Sequence, residues 1–205
     1  MAKKVELTIF LSSPNDHLEE ERTKFKDLMS EIVSNSPIEC NIDAIKWEAD
    51  VSKAFNSTFQ ENIDQEILKS DLVIFMFCNR SAEHTLEEYE LCQKLKKSRL
   101  ITLKEYQPKL STLTVPQIED YLKLRKFLES HNDEYCVKYE TYYQFAYEIV
   151  QAVNRNIKNK LIDKTSEDSK GVKENNDSMN INNLLNTPEM KEMISKLYNS
   201  LQDIK

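Results

Sequence analysis

Glycine is nearly missing from this sequence: Gly171 is the one glycine in 205 residues. A P-loop and a G-x-G-x-x-G dinucleotide fingerprint both need glycines, because backbone amides must approach phosphate oxygens closely. Both devices are excluded, and any nucleotide bound here is held another way. The four cysteines, Cys40, Cys78, Cys92 and Cys136, form no C-x-x-C pair, so neither a zinc site nor a redox motif is indicated. They read as reduced, mostly buried thiols. His17, His84 and His131 are too scattered to suggest a metal site or a Ser-His-Asp triad. No apolar run approaches the roughly 20 residues of a membrane span. The start, Met1-Ala2-Lys3-Lys4, runs into alternating Val5, Leu7 and Ile9 without the apolar centre of a signal peptide. A cytoplasmic protein with no membrane partner is expected. A formal net charge of −7 disfavours binding that depends on neutralising nucleic-acid phosphates, so neither DNA nor RNA is expected as a partner.

What is present is an alternation of strand-like and helix-like segments. Val5 to Leu11 reads as a strand, followed by the turn-rich Ser12-Ser13-Pro14-Asn15-Asp16 and a helix over about 17–34 with Leu18, Phe25, Leu28, Met29 and Ile32 at helical spacing. A second unit runs from Ile42 to Trp47-Glu48 and on to a helix over about 56–69, striped with Phe59, Ile63 and Ile67. Asp71 to Phe77 is a continuous apolar run, as expected for a central parallel strand covered on both faces. A helix over about 85–97, a strand at 100–103, a helix over 116–130, a strand at 135–139 and a helix over about 141–160 complete five units. Five alternations predict an α/β fold: an open five-stranded parallel sheet of the flavodoxin-like type, order 2-1-3-4-5, with helices on both faces.

This domain is expected to end near residue 162. Residues 163–186 turn to Ser, Asn, Asp, Lys and Glu, the composition of a polar flexible linker. Over 187–205, Thr187-Pro188-Glu189 is a good helix start, and Met190, Met193, Ile194, Leu197, Tyr198, Leu201 and Ile204 recur on one face. Such an amphipathic helix suits packing on its own domain, self-association, or docking on a sensor or effector protein.

Several strings occur in the order in which TIR-like domains place them. "TIFLSSPND" with "EEER", then "IKWE", "FQENIDQEILKSDLVIFMF", "NRSAEHTLEEYELC", "VPQIEDYLKLRKFLES" and "ETYYQFAYEIVQAV" span roughly residues 5–160. Together they resemble the TIR-like domains found in bacteria alone or fused to signalling ATPases. The resemblance implies a signalling or effector domain of bacterial anti-phage immunity that cleaves the nicotinamide–ribose bond of NAD, with NAD as substrate and no resident cofactor. It also implies activation by assembly, hence a homo-oligomer. A non-catalytic interaction module and a deoxyribosyltransferase-like enzyme acting on another nucleoside glycoside stand as alternatives.

In an open parallel sheet the ligand crevice lies beyond the carboxyl ends of the strands. That brings together Ser12 to Asp16, Trp47-Glu48, the 79–85 loop and the first turn of the helix after it. Helical period separates that helix's glutamates. Glu90 neighbours Gln93 and Lys94 and faces water, Glu87 is a boundary position, and Glu88 neighbours Leu91 and Cys92 and points inward. Glu88 also falls on the catalytic glutamate when the family string Gly-Thr-x-x-Glu is laid on His84-Thr85-Leu86-Glu87-Glu88. The resemblance therefore makes Glu88 the catalytic residue, with Thr85 beside it. An acidic first turn that complements the helix dipole is the structural alternative. Ser12, Ser13 and Asp16 either cap the following helix or hydrogen-bond ribose or phosphate. Arg80 suits a pyrophosphate or an ordinary surface position, and Trp47 suits stacking on a base or packing at a strand end. Glu21-Arg22 reads as a structural ion pair. Where the family has glycines, this loop has Ser81, Ala82 and His84.

Overall fold

The structure is a computed structural model that describes residues 4–14, 17–46, 59–105, 113–131 and 136–169. Its strands are β1 (Val5–Ser12), β2 (Cys40–Lys46), β3 (Leu72–Phe77), β4 (Ser98–Lys104) and β5 (Cys136–Tyr139). The helices are α1 (Glu19–Asn35), α2 (Phe59–Lys69), α3 (Glu83–Lys94), α4 (Val115–Ser130) and α5 (Tyr142–Ser169). All pairings are parallel, in the order β2-β1-β3-β4-β5. The expected open α/β sheet is therefore what the chain forms.

Every residue of β3 is buried, which explains why its sequence is apolar without alternation: helices cover it on both sides. Side chains of successive strand residues point to opposite faces, and each face carries its own core. On one face Val5, Leu7, Ile9 and Leu11 of β1 meet Phe25, Leu28, Met29 and Ile32 of α1, and Phe145, Ile149 and Val153 of α5. On the other, Phe10, Val73, Phe75 and Phe77 meet Ile63 and Ile67 of α2, Tyr89 and Cys92 of α3, and Leu124 of α4. Ser12 continues the column of Phe10, so strand parity turns it toward α2 and α3.

The last helix runs on to Ser169, beyond the 160 at which periodicity ends it and into the segment read as linker. Elongating a formed helix costs far less than nucleating one, and no proline or glycine interrupts the sequence before Gly171. The remaining linker, the helix expected over 187–205, Asp16 and Trp47 lie outside the described residues. No helix among the described residues is long and apolar enough to cross a membrane.

Candidate active site

The order of the strands fixes where a ligand fits. β1 leads into α1 on one face, while its neighbour β3 leads into α3 on the other, so the two chains diverge at the carboxyl edge and open a crevice there. The loops that flank it are both strained. His17, after β1, has φ 61°, and Ala82, after β3, has φ 50°, a region that disfavours any residue with a Cβ.

Glu88 sits two turns into α3 and is 5% exposed, against Ser12, which is fully buried at the end of β1. The Ser12 hydroxyl donates to Glu88 Oε2 at 2.5 Å across 76 residues of sequence. A hydroxyl donated to a carboxylate favours its ionised form. Burial pushes the Glu88 carboxyl up to about 7, opposed by the Ser12 hydrogen bond and the charge of His84, and reinforced by the nearby carboxylates Asp64 and Glu87. Desolvation outweighs the hydrogen bond because an ionised carboxylate loses most of its hydration at this depth. Glu88 therefore holds its proton into the neutral range and releases it there, which suits proton transfer near pH 7.

Glu90 is exposed, as helical spacing predicts, while Glu87, expected at the boundary, is exposed as well and pairs with exposed His84 at 3.2 Å. Thr85 is buried one turn before Glu88. The acid in the first turn of α3, where the helix dipole acts, is Glu83; Glu88 lies further along the helix.

No family model matches the sequence, and no curated protein does. Among solved structures, a CMP N-glycosidase of Clostridium botulinum is similar, with 16% of residues identical, 69% of this chain and 96% of that chain covered, and a TM-score of 0.41. A likeness that shallow carries no weight for substrate.

Ser12 and Ser13 do not cap α1, as the turn-rich sequence suggested they might. The residue at that helix start is Leu18, without a side-chain cap. Ser13 instead accepts from Arg22 Nη1 at 2.7 Å, and the same nitrogen donates to the carbonyls of Ser13 and Pro14 at 3.1 and 3.3 Å. Arg22 thus pins the loop after β1 from within. Glu21, fully buried, has Lys104 Nζ at 2.9 Å, and Lys104 also donates to the His17 carbonyl at 3.1 Å. The expected Glu21-Arg22 pair is replaced by two separate braces, since adjacent helix residues point in different directions.

Arg80 meets Asp120 of α4, its Nε 3.8 Å from Asp120 Oδ2, and Ser81 donates its hydroxyl to Asp120 Oδ1. His17, Asn79, Arg80, Pro116, Gln117 and Asp120 enclose a recess of about 270 Å³. A larger recess of about 440 Å³ lies beyond β4 and β5, lined by Lys104, Tyr121, Arg125 and Lys138 among others. Neither Glu88 nor Ser12 lines it. The thiol of Cys78 does, and burial pushes that thiol up to about 11, so it stays protonated and is no nucleophile near pH 7. Asp120 carried no sign in the sequence, because its contacts cross 39 residues to another unit.

Proposed function

We propose that this protein cleaves the N-glycosidic bond of a nucleotide, with Glu88 as the carboxylate that serves the anomeric carbon. The observation that carries the reading is the buried Glu88–Ser12 pair at the carboxyl edge of β1, beside the divergence of β1 and β3.

Cleavage builds positive charge on the ribose as the base departs with the bonding electrons. An ionised carboxylate held in a poorly solvated site stabilises that charge strongly, because little water competes. Water then adds to the anomeric carbon, and its proton passes to Glu88. In NAD the nicotinamide leaves as a neutral molecule from a cationic pyridinium, so no proton has to be delivered to it. One carboxylate suffices, and of the two buried acids among the described residues Glu21 is paired with Lys104 while Glu88 is held by a hydroxyl alone. NAD, the substrate implied by the TIR resemblance, is therefore the first candidate, and the signalling role belongs to the same reading. Ser12 holds Oε2 and fixes the plane of the carboxylate, leaving Oε1 for the substrate.

The test is to incubate the full chain with NAD and with nucleoside monophosphates and follow free base by chromatography. Base release that Glu88→Gln lowers by about 10²–10⁴-fold is expected, the usual range for a positioned acid–base group. Equal rates in both proteins would remove Glu88 from the chemistry.

A further inference from the structure

The Asp120 carboxylate has two partners on the loop between β3 and α3. Ser81 donates a hydroxyl to Oδ1, and Arg80 Nε lies 3.8 Å from Oδ2. Ser81 is almost fully buried, so its hydroxyl is aimed by packing rather than by solvent. An arginine and a buried hydroxyl converging on one anion are the donor set that receives a phosphoryl oxygen. His17, Asn79 and Gln117 stand around the same recess of about 270 Å³. Its walls come from the loops after β1 and β3 and, for the larger part, from Leu113 and the first turns of α4; Ser81, Ser12 and Glu88 do not line it.

Here the bound anion is the chain's own carboxylate. The Arg80–Asp120 pair is of the exchangeable kind, with side chains 45% and 30% exposed and a separation of 3.8 Å, longer than a hydrogen bond; the Ser81 hydrogen bond is the contact a ligand has to replace. α4, which carries Asp120, is lightly seated, with Leu124 alone buried among its 16 residues. Its far end is held by an aromatic group in which Phe127 packs on Phe77, Tyr89 and His131 at centroid distances of 5.5, 4.9 and 4.6 Å. The Asp120 end therefore has room to yield while the Phe127 end stays anchored.

We propose that Arg80 and Ser81 form the subsite for a phosphoryl group of the nucleotide, and that Asp120 occupies it as an internal competitor until the ligand takes its place. This rests on reading the crevice as a nucleotide site. A terminal phosphate offers three acceptor oxygens and more negative charge than a carboxylate, and a pyrophosphate bridge offers four non-bridging oxygens and two charges, so either displaces Asp120 from the same donors.

The experiment is calorimetric titration of the full chain with pyrophosphate, with a nucleoside monophosphate and with the matching uncharged nucleoside. Asp120→Asn removes the competing charge and keeps an acceptor for Ser81, and Asp120→Ser serves as a second variant. Thermal melts confirm that each is folded. Both variants are expected to bind pyrophosphate and the monophosphate about tenfold more tightly than wild type, with no gain for the nucleoside. Adding Arg80→Gln to Asp120→Asn is expected to abolish the gain. Unchanged or weaker anion binding in both Asp120 variants overturns the proposal, and so does a gain that survives Arg80→Gln. A gain shown equally by the uncharged nucleoside overturns the assignment to a phosphoryl group. Because pyrophosphate has no glycosidic bond, failure here leaves the role of Glu88 standing, and an inactive enzyme leaves this subsite standing.

Discussion

Replacing Glu88 with glutamine is expected to stabilise the protein, and to do so increasingly as pH rises. Burial lifts this carboxyl from an ordinary 4.5 to about 7. At about 1.4 kcal/mol per pH unit, ionising it in the folded chain costs about 3 kcal/mol more than in the unfolded chain. Between pH 4.5 and 7 the folded protein keeps a proton that the unfolded chain has already released. Wild-type stability is thus free of this cost below the unfolded value, falls as pH rises through the window, and carries the full cost above the folded value. Glutamine has nearly the same shape, still accepts from Ser12 and never ionises, so its stability lacks that fall. The gain of Glu88→Gln over wild type should grow by about 3 kcal/mol between pH 4.5 and pH 8, or roughly 6–12 °C in melting temperature for a chain of this size. Urea unfolding of both proteins at pH 4.5, 6 and 8 measures it. A difference that stays flat across those pH values would refute the reasoning, because the carboxyl would then be titrating as a solvated group.

Ser12→Ala removes the hydrogen bond that favours the ionised form, so the rise of kcat/KM with pH, expected to level off near pH 7 in wild type, should move to higher pH. An unmoved profile in a folded variant would deny Ser12 its positioning role. Ala82→Gly relieves a residue held at φ 50° and should stabilise the protein by about 1 kcal/mol; a loss of stability in denaturant would show that the strain is not local to that backbone. Lys104→Met leaves Glu21 buried without its cation and should cost about 3 kcal/mol, read by urea unfolding, whereas a cost under about 1 kcal/mol would mean that water already reaches the carboxylate.

The sheet was legible because its physics is local. The unbroken apolar run of β3 announces a strand covered on both faces, and helical spacing alone separates Glu88 from Glu87 and Glu90, as their burial bears out. The Ser12–Glu88 bond was half legible: strand parity puts Ser12 on the face of Phe10, but the partner lies 76 residues away. The braces from Arg22 and Lys104, and the hold of Asp120 on Arg80 and Ser81, were not legible. The Lys104 and Asp120 contacts join different units through side chains, and nothing in the spacing of one unit reports the approach of another; the Arg22 brace is local but depends on how the loop after β1 folds back on α1. The extension of α5 to Ser169 was hidden for a different reason. Its composition, Asp-Lys-Thr-Ser-Glu-Asp-Ser, resembles a linker, yet adding residues to a helix already formed costs far less than starting one.

The central claim is that Glu88 performs glycosidic cleavage and that its burial is the price in stability. Base release from NAD and from nucleoside monophosphates, measured side by side for wild type and Glu88→Gln at pH 8 on protein shown to be folded, tests it most directly. Wild type is expected to release base from one of these nucleotides, with the more stable glutamine variant slower by about 10²–10⁴-fold. Release at the wild-type rate by the variant, or none from any of these nucleotides by the wild type, would contradict it.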